Sequence, residues 1–324
     1  MAIHQHDMRD TSYLYNRYVE IRQLEALVGI ADHGTFSSAA DALGTVQSNI
    51  SNRIARLETE LGSELVDRAS GSITESGAVV LHRARRILIE LSAIAADVSE
   101  LNADIRGEVN LGMIGTAGRW IVPLLIEAQR RSFAHVAIRI SEGTNSALEP
   151  RVVNGQLDLA VLAWPVFAPE LTDTDLFSED LVLIVARDHP LARRRSVNFT
   201  TLAKIELLLP LQGTPLRREI DEAAEAHGVT LRPIVELDGL RTIASLTFDG
   251  YGPSILPATM LSQHLRANFV AVHVEGIARR RVSLVSRRFG FPAAPIRAIH
   301  SLLQEVVRTA TVPDNVYVPS GESR

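Results

Sequence analysis

The 324-residue chain contains no cysteine. That excludes disulfides, thiolate metal sites and cysteine nucleophiles, and it is consistent with a reducing compartment. Lysine is almost as scarce: Lys204 is the only one, and nearly all positive charge is arginine. A phosphate-cradling P-loop needs a lysine in a glycine-rich turn. Lys204 sits instead in Thr201-Leu202-Ala203-Lys204-Ile205, which reads as a helix-to-strand connection. No run approaches the roughly 18 apolar residues that span a bilayer. The N-terminus carries acids and no apolar stretch, so it is not read as a secretory signal, and a cytoplasmic location is expected. The ten histidines are scattered, and the close pair His4 and His6 lies in a polar extension. No His-x-x-x-His with a nearby acid and no Gly-x-Ser-x-Gly elbow occurs, so neither a metal site nor a hydrolase triad has an anchor. No metal or cofactor is expected.

What is present is a sizeable apolar fraction, 46%, enough to bury a core over one or two domains. Net charge is −5, unevenly placed. Residues 1–104 hold 9 Arg against 15 Asp and Glu, a balance of −6, whereas 105–324 balance at +1. Any attraction of the first part to nucleic acid must come from a local face and not from bulk charge.

Residues 1–20 read as a loosely ordered extension, 21–76 as short helices broken by glycine turns, and 77–105 as one long helix. From Gly107 the texture changes to β-branched runs alternating with amphipathic helices, which argues for an α/β domain with a mainly parallel sheet. The segment after Thr311 reads as a frayed tail, 312–324.

Within 21–76, Thr35 follows Gly34 and is placed to cap a short helix. Ala39 and Ala40 allow a close crossing, Leu43 is expected to point into the core, and Gly44 suits a tight helix-to-helix turn. The next helix offers Ile50, Ile54 and Leu57 on one side. Gln47, Ser48, Asn49, Ser51, Asn52, Arg53 and Arg56 fall on the other. These residue types read base edges and hold phosphates in a major groove. A solvated helix face usually carries Glu and Lys instead. Even so, spacing alone leaves an ordinary pair of crossing helices open as the alternative.

In the long helix, Val80, Ala84, Ile87, Leu91, Ile94, Val98, Leu101 and Ile105 recur at alternating spacings of 4 and 3, a heptad seam of the kind paired helices require. The alternative is a stripe packed on its own domain. Arg83, Arg85 and Arg86 lie near its start, in reach of phosphate or simply solvated.

Three loops in the α/β part stand at strand-to-helix junctions: Gly115-Thr116-Ala117-Gly118, Ser141-Glu142-Gly143-Thr144-Asn145, and Leu209 to Arg217. Ligands settle at such ends, and helix N-termini attract anions. Thr116, Arg119, Thr144, Asn145 and Thr214 are therefore candidate contacts, with plain helix capping as the alternative for each. Gly112, Gly115 and Gly118 also approach a dinucleotide fingerprint, with Glu142 ending the next strand. An NAD(P)-dependent oxidoreductase is thus a rival reading, although the first glycine spacing is one residue too long.

The ordered series Gln23-Leu24-Glu25-Ala26-Leu27, Gly34-Thr35-Phe36-Ser37, Ala39-Ala40, Leu43, Gln47-Ser48, Ser51, Ile54, Leu57-Glu58, Leu61-Gly62, Leu65, Arg68, Thr74 and Gly77 resembles the winged helix-turn-helix of LysR-type transcriptional regulators. Further on, Gly155-Gln156-Leu157-Asp158-Leu159-Ala160, Ala186-Arg187-Asp188-His189-Pro190-Leu191 and Gly250-Tyr251-Gly252-Pro253-Ser254-Ile255-Leu256-Pro257 resemble the effector domain of the same regulators. The resemblance covers about residues 21–310. It implies an N-terminal all-α winged helix-turn-helix, a long dimerisation helix, and a C-terminal two-lobed α/β domain like a periplasmic binding protein. Lobe I is expected over 106–164 and 273–311 and lobe II over 165–272, with crossovers near 164–166 and 272–273.

The function implied is transcription regulation without enzymatic activity. The DNA contacts implied are Thr35, Ser37, Gln47, Ser48, Asn49, Ser51, Asn52, Arg53 and Arg56, with Arg68 near the backbone. The dimerising residues implied are Ile87, Leu91, Ile94, Val98 and Leu101. Partners are double-stranded DNA carrying inverted repeats, a second or fourth copy of the chain, and a small effector, anionic by its loop chemistry, in the inter-lobe cleft. RNA polymerase is a further candidate. Two departures from the pattern stand out. Val46 occupies the usual Ser/Thr cap of the recognition helix, so Thr45 is the substitute expected. The wing Ala69-Ser70-Gly71-Ser72-Ile73 is short and lacks a basic residue.

Overall fold

The computed structural model describes residues 19–100, 105–288 and 290–319, with only the backbone placed at 95, 96, 99 and 100. The 1–18 stretch of the expected extension, with His4 and His6, and Leu101 of the seam lie outside the described residues. The chain divides into two units, Met1–Ala95 and Ala96–Arg324.

In the first unit, α1 (Ile21–His33), α2 (Phe36–Ala42) and α3 (Gln47–Leu61) enclose a core of Leu24, Leu27, Ile30, Ala39, Ala40, Ile50, Ile54 and Leu57. Thr35 caps α2 as expected, its Oγ1 accepting from Ser38 N at 3.0 Å. Leu43 departs from expectation. It is 39% exposed and only its edge rests on Gly29, where a Cβ would approach Leu43 Cδ1 to 3.1 Å. The wing is a single bridge, Val66 to Ile73. The Asp67 carboxylate accepts from Ala69 N at 2.8 Å to shape its turn, and these backbone bonds hold its pKa below the ordinary value. Next comes α4 (Glu75–Glu100). Its start belongs to this core: Ala84 is fully buried and Val80 packs against the cluster.

The second unit builds β1 (Gly107–Met113), α5 (Gly115–Ser132), β2 (Val136–Glu142), α6 (Asn145–Val153), β3 (Leu159–Ala163), β4 (Leu171–Glu179), β5 (Leu181–Ala186), β6 (Ser196–Val197) and α7 (Phe199–Leu202). It continues with β7 (Glu206–Pro210), α8 (Pro215–Ala226), β8 (Arg232–Leu237), α9 (Leu240–Phe248), β9 (Ser254–Pro257), β10 (Phe269–Val274), β11 (Arg280–Arg287), α10 (Ala294–Thr309) and β12 (Val316–Tyr317). Short 3₁₀ turns occupy Ala258–Met260 and Gln263–Ala267.

Two six-stranded sheets result, ordered β12-β4-β11-β3-β1-β2 and β6-β10-β5-β9-β7-β8. Each has a parallel part, β1 with β2 and β3 in one and β7 with β8 and β9 in the other. The strands nearest the crossovers, β4 and β11 in one and β5 and β10 in the other, join antiparallel, so the sheets are mixed and not mainly parallel.

Two further expectations are corrected. The long strand β4 pairs with β11 over its whole length and stays in the first sheet. The chain therefore crosses at Asp180, not near 164–166, and returns between Val274 and Arg280, just beyond 272–273. The supposed frayed tail supplies β12, which pairs Val316 with Glu179 and Tyr317 with Ser178.

Candidate nucleic-acid interface and effector cleft

The helix α3 is fixed from below by Ile50, Ile54 and Leu57, all with no exposed surface. Spacings of 4 and 3 put these three on one stripe, and the opposite face is left to solvent. Gln47, Ser48, Asn49, Asn52 and Arg56 are exposed there, with Ser51 and Arg53 half-buried at its margin. Thr35 and Ser37 are exposed at the start of α2.

Val46 occupies the N-cap of α3 with no side-chain cap bond. Thr45 does not replace it: its Oγ1 accepts from the Asn49 Nδ2 at 2.9 Å, so Thr45 restrains a reader residue and leaves the backbone uncapped. Arg68 is held by Glu58 at 3.2 Å, and that carboxylate also accepts from Leu65 N at 2.9 Å. Of the three arginines early in α4, Arg85 is buried and paired with Asp32, which removes it from the surface; Arg83 and Arg86 are exposed. Further along, Ile87, Leu91 and Ile94 are all solvent-exposed, the last at 61%, and Val98 continues the same stripe. The seam thus splits, its first two positions serving the domain core and the next ones facing outward.

In the second unit the ends of β1, β2 and β3 face residues of the other sheet. Thr116, in the first turn of α5, is almost wholly buried. Its Oγ1 accepts from Arg280 Nη2 at 2.8 Å, and its carbonyl lies 3.2 Å from Thr259 Oγ1. Arg280 also pairs with Glu179, which has no exposed surface, at 2.5 Å. Thr259 donates to the same carboxylate from N at 3.0 Å and Oγ1 at 2.7 Å. A closed polar network therefore joins the two sheets at the cleft floor, and burial makes every bond in it matter.

Nearer the mouth, Arg119 donates weakly to Ser262 Oγ at 3.4 Å and lies 5.5 Å from the Phe248 ring centre. Its buried Nε has no partner among the described residues. Burial, then the neighbouring charge of Arg241, pulls the Arg119 pKa below its ordinary value. Arg241, at the start of α9, pairs across the cleft with Glu142 at the end of β2. A Cβ at Gly115 would meet the Glu142 carboxylate, the movable end of a half-exposed side chain. Gly112 lies inside β1 and Gly118 inside α5.

Other candidate contacts are spent locally. The Asn145 amide grips the Ala163 backbone twice, donating to its O and accepting from its N. Thr214 Oγ1 donates to Leu211 O at 2.8 Å, and Thr144 Oγ1 shares a 3.0 Å bond with Ser146 Oγ. Sequence reasoning singled out Thr116 and Arg119, but missed Glu179, Arg241, Thr259 and Arg280 as their partners. The run Arg279-Arg280-Arg281 and the acid pair Glu179-Asp180 were the available signals.

Two family models match: "LysR substrate binding domain" over residues 102–308, and "Bacterial regulatory helix-turn-helix protein, lysR family" over 21–78. The DNA-binding transcriptional dual regulator OxyR of Escherichia coli K12 is 28% identical over 294 residues, 90% of this chain and 95% of that protein. Among solved structures, a full-length cysteine-to-aspartate variant of OxyR from Pseudomonas aeruginosa superposes with a TM-score of 0.71 at 22% identity, covering 91% of this chain and 99% of that one. Full-length CbnR complexed with its target DNA gives 0.59 at 24% identity, covering 89% and 99%.

Proposed function

Because the chain belongs to the LysR family of bacterial transcription regulators, we propose that this DNA-binding regulator reads inverted-repeat operator DNA as a dimer or tetramer and answers to an anionic small molecule in its inter-lobe cleft. Its relatives are regulators and not enzymes, so the oxidoreductase reading is set aside. The observation that carries the DNA reading is the face of α3. Gln47, Ser48, Asn52, Arg53 and Arg56 project from a helix anchored by three fully buried residues, with no acid between Gln47 and Leu57. Phosphate contacts from arginine give affinity, and base-edge contacts from Gln, Asn and Arg give sequence choice.

Two copies are expected to meet along Ile87, Leu91, Ile94, Val98 and Leu101, which sets two recognition helices on successive half-sites. No described helix is long and apolar enough to cross a membrane; our reading is of a cytoplasmic regulator working beside its DNA, with RNA polymerase as a further candidate partner.

For the effector, the pair Arg119 and Arg241 supports an anion, since among the described residues one buried guanidinium nitrogen has no partner and the second guanidinium meets a half-exposed carboxylate, Glu142. Relatives bear names of hydrogen peroxide response. With no cysteine in this chain, a thiol-oxidation switch is closed to it. An effector that favours one lobe arrangement would shift the spacing of the recognition helices and so promoter output.

The test is selection of fragmented genomic DNA by the purified protein, repeated across salt concentrations. Enrichment of a short inverted repeat whose affinity falls as salt rises is the expected result. Absence of enrichment even at low salt would overturn it.

A further inference from the structure

We propose that residues 312–317 form a strap across the inter-lobe hinge and limit how far the lobes move. The proposal rests on the two-sheet arrangement and not on the identity of any effector. The hinge consists of two crossovers, one at Asp180 between β4 and β5 and one between β10 and β11. A single buried carboxylate ties them: Asp180 Oδ1 accepts from Arg279 Nε at 2.9 Å. The strap supplies the third member. Tyr317 donates from its hydroxyl to Asp180 Oδ2 at 3.0 Å, and its ring centre lies 3.4 Å from the Arg279 guanidinium carbon.

The backbone repeats the attachment, with Asp180 N donating to Asn315 O at 2.9 Å. On one side β12 extends the first sheet along β4. On the other, Asp314 pairs with Arg266, in the 3₁₀ turn before β10 of the second sheet. The chain turns between these attachments at Asn315, whose φ of 64° is the one positive value among the described non-glycine residues. Asn tolerates this left-handed conformation better than other side-chain-bearing residues do.

Hinge motion is absorbed by a few backbone dihedrals at element ends. Here those residues are held by a carboxylate that binds both crossovers and the strap. The exposed Arg266–Asp314 pair adds little by itself. The Asp180–Tyr317 bond, from a partly exposed phenol to a buried charged acceptor, carries most of the restraint, and it pushes the Tyr317 phenol pKa up, which keeps the donor protonated.

The experiment compares the full-length protein with its Tyr317→Phe variant, and with a chain ending at Thr311, by hydrogen exchange. In Tyr317→Phe the amides of Asp180, Ala258 and Thr259 are expected to exchange about tenfold faster or more, as loss of a charge-assisted hydrogen bond predicts. Those of β1 and β3 should be unchanged. Because the chain lacks cysteine, Glu127→Cys with Glu225→Cys places one spin label on α5 and one on α8 without background. Diluted with unlabelled protein, the labelled chain reports its own inter-lobe distance, which should broaden when Tyr317→Phe is added. Unchanged hinge exchange or an unchanged distance distribution would overturn the proposal. So would protection lost uniformly over the unit in both variants, which would make the segment an ordinary part of the fold. Neither readout involves DNA or effector, so the result is independent of the function proposed above.

Discussion

Replacing Arg280 by Met would leave the Glu179 carboxylate, which has no exposed surface, without its cation. Breaking a buried pair from one side costs about 3–5 kcal/mol. Glu179 keeps two donors, Thr259 N and Oγ1, so the lower end, about 3 kcal/mol, applies. For a domain of about 200 residues, each kcal/mol lowers the midpoint by about 2–4 °C, which gives a fall of about 6–12 °C. Differential scanning calorimetry on the full-length protein is the assay. The first unit has its own core, and its transition is the internal control, expected to stay in place. The paired variant Glu179→Gln with Arg280→Met removes the orphaned charge while the carboxamide oxygen can still accept from Thr259. Most of the lost stability should return. A fall below about 1 kcal/mol in the single variant, the range of an exposed pair, would refute the claim that this pair is a buried structural bond. So would a double variant no better than the single one.

Three further outcomes are expected. Leu91→Asp puts a charge on the exposed stripe of α4 and should shift the sedimentation coefficient toward the monomer while the helical circular dichroism is kept; an unshifted coefficient would contradict the pairing role. Arg53→Ala should weaken operator binding by about 1–3 kcal/mol in gel-shift titrations, and Asn49→Ala by less, since Thr45 already holds the Asn49 amide; equal losses would contradict that ranking. Burial lowers the pKa of His300 on α10 below its usual 6.5. The unfolded chain therefore takes up its proton first as pH falls, so stability present above about 6.5 is lost as pH drops from there toward the folded value. His300→Gln should flatten that slope in urea titrations of the second unit at pH 5 to 7, and an unchanged slope would assign the dependence elsewhere.

The elements legible in the sequence are those whose signals are local. A cap one residue before a helix, glycine at a turn, and apolar spacings of 4 and 3 are all written within a dozen residues, so Thr35, Gly44, Ile50, Ile54 and Leu57 could be placed in advance. The heptad seam was read from the same period, but period alone does not say which positions a neighbouring core consumes: Ala84 is taken by the first unit, and Leu91 and Ile94 are left outside. Thr45 shows the limit of even local signals, because a hydroxyl near a helix start can accept from a side chain as readily as from the backbone.

The allegiance of β4 and β12 could not be read, because each is decided by a partner more than a hundred residues away, Val282 facing Phe177 and Val316 facing Glu179. The cleft chemistry is hidden for the same reason. Thr116 looked like a ligand contact because it opens a helix after a strand, and its hydroxyl is spent on Arg280, 164 residues later. What distinguishes a ligand contact from an internal bond is whether the polar atom is already satisfied, and that is a property of long-range pairing. By this criterion Asn145 and Thr214 are spent on backbone bonds inside the fold, although neither side chain caps its helix, while Arg119 keeps a nitrogen without a partner among the described residues. The residue most worth testing for effector contact is therefore Arg119, whose Nε the fold has desolvated without a partner among the described residues, since a bound anion would supply the bond that the protein leaves unmade.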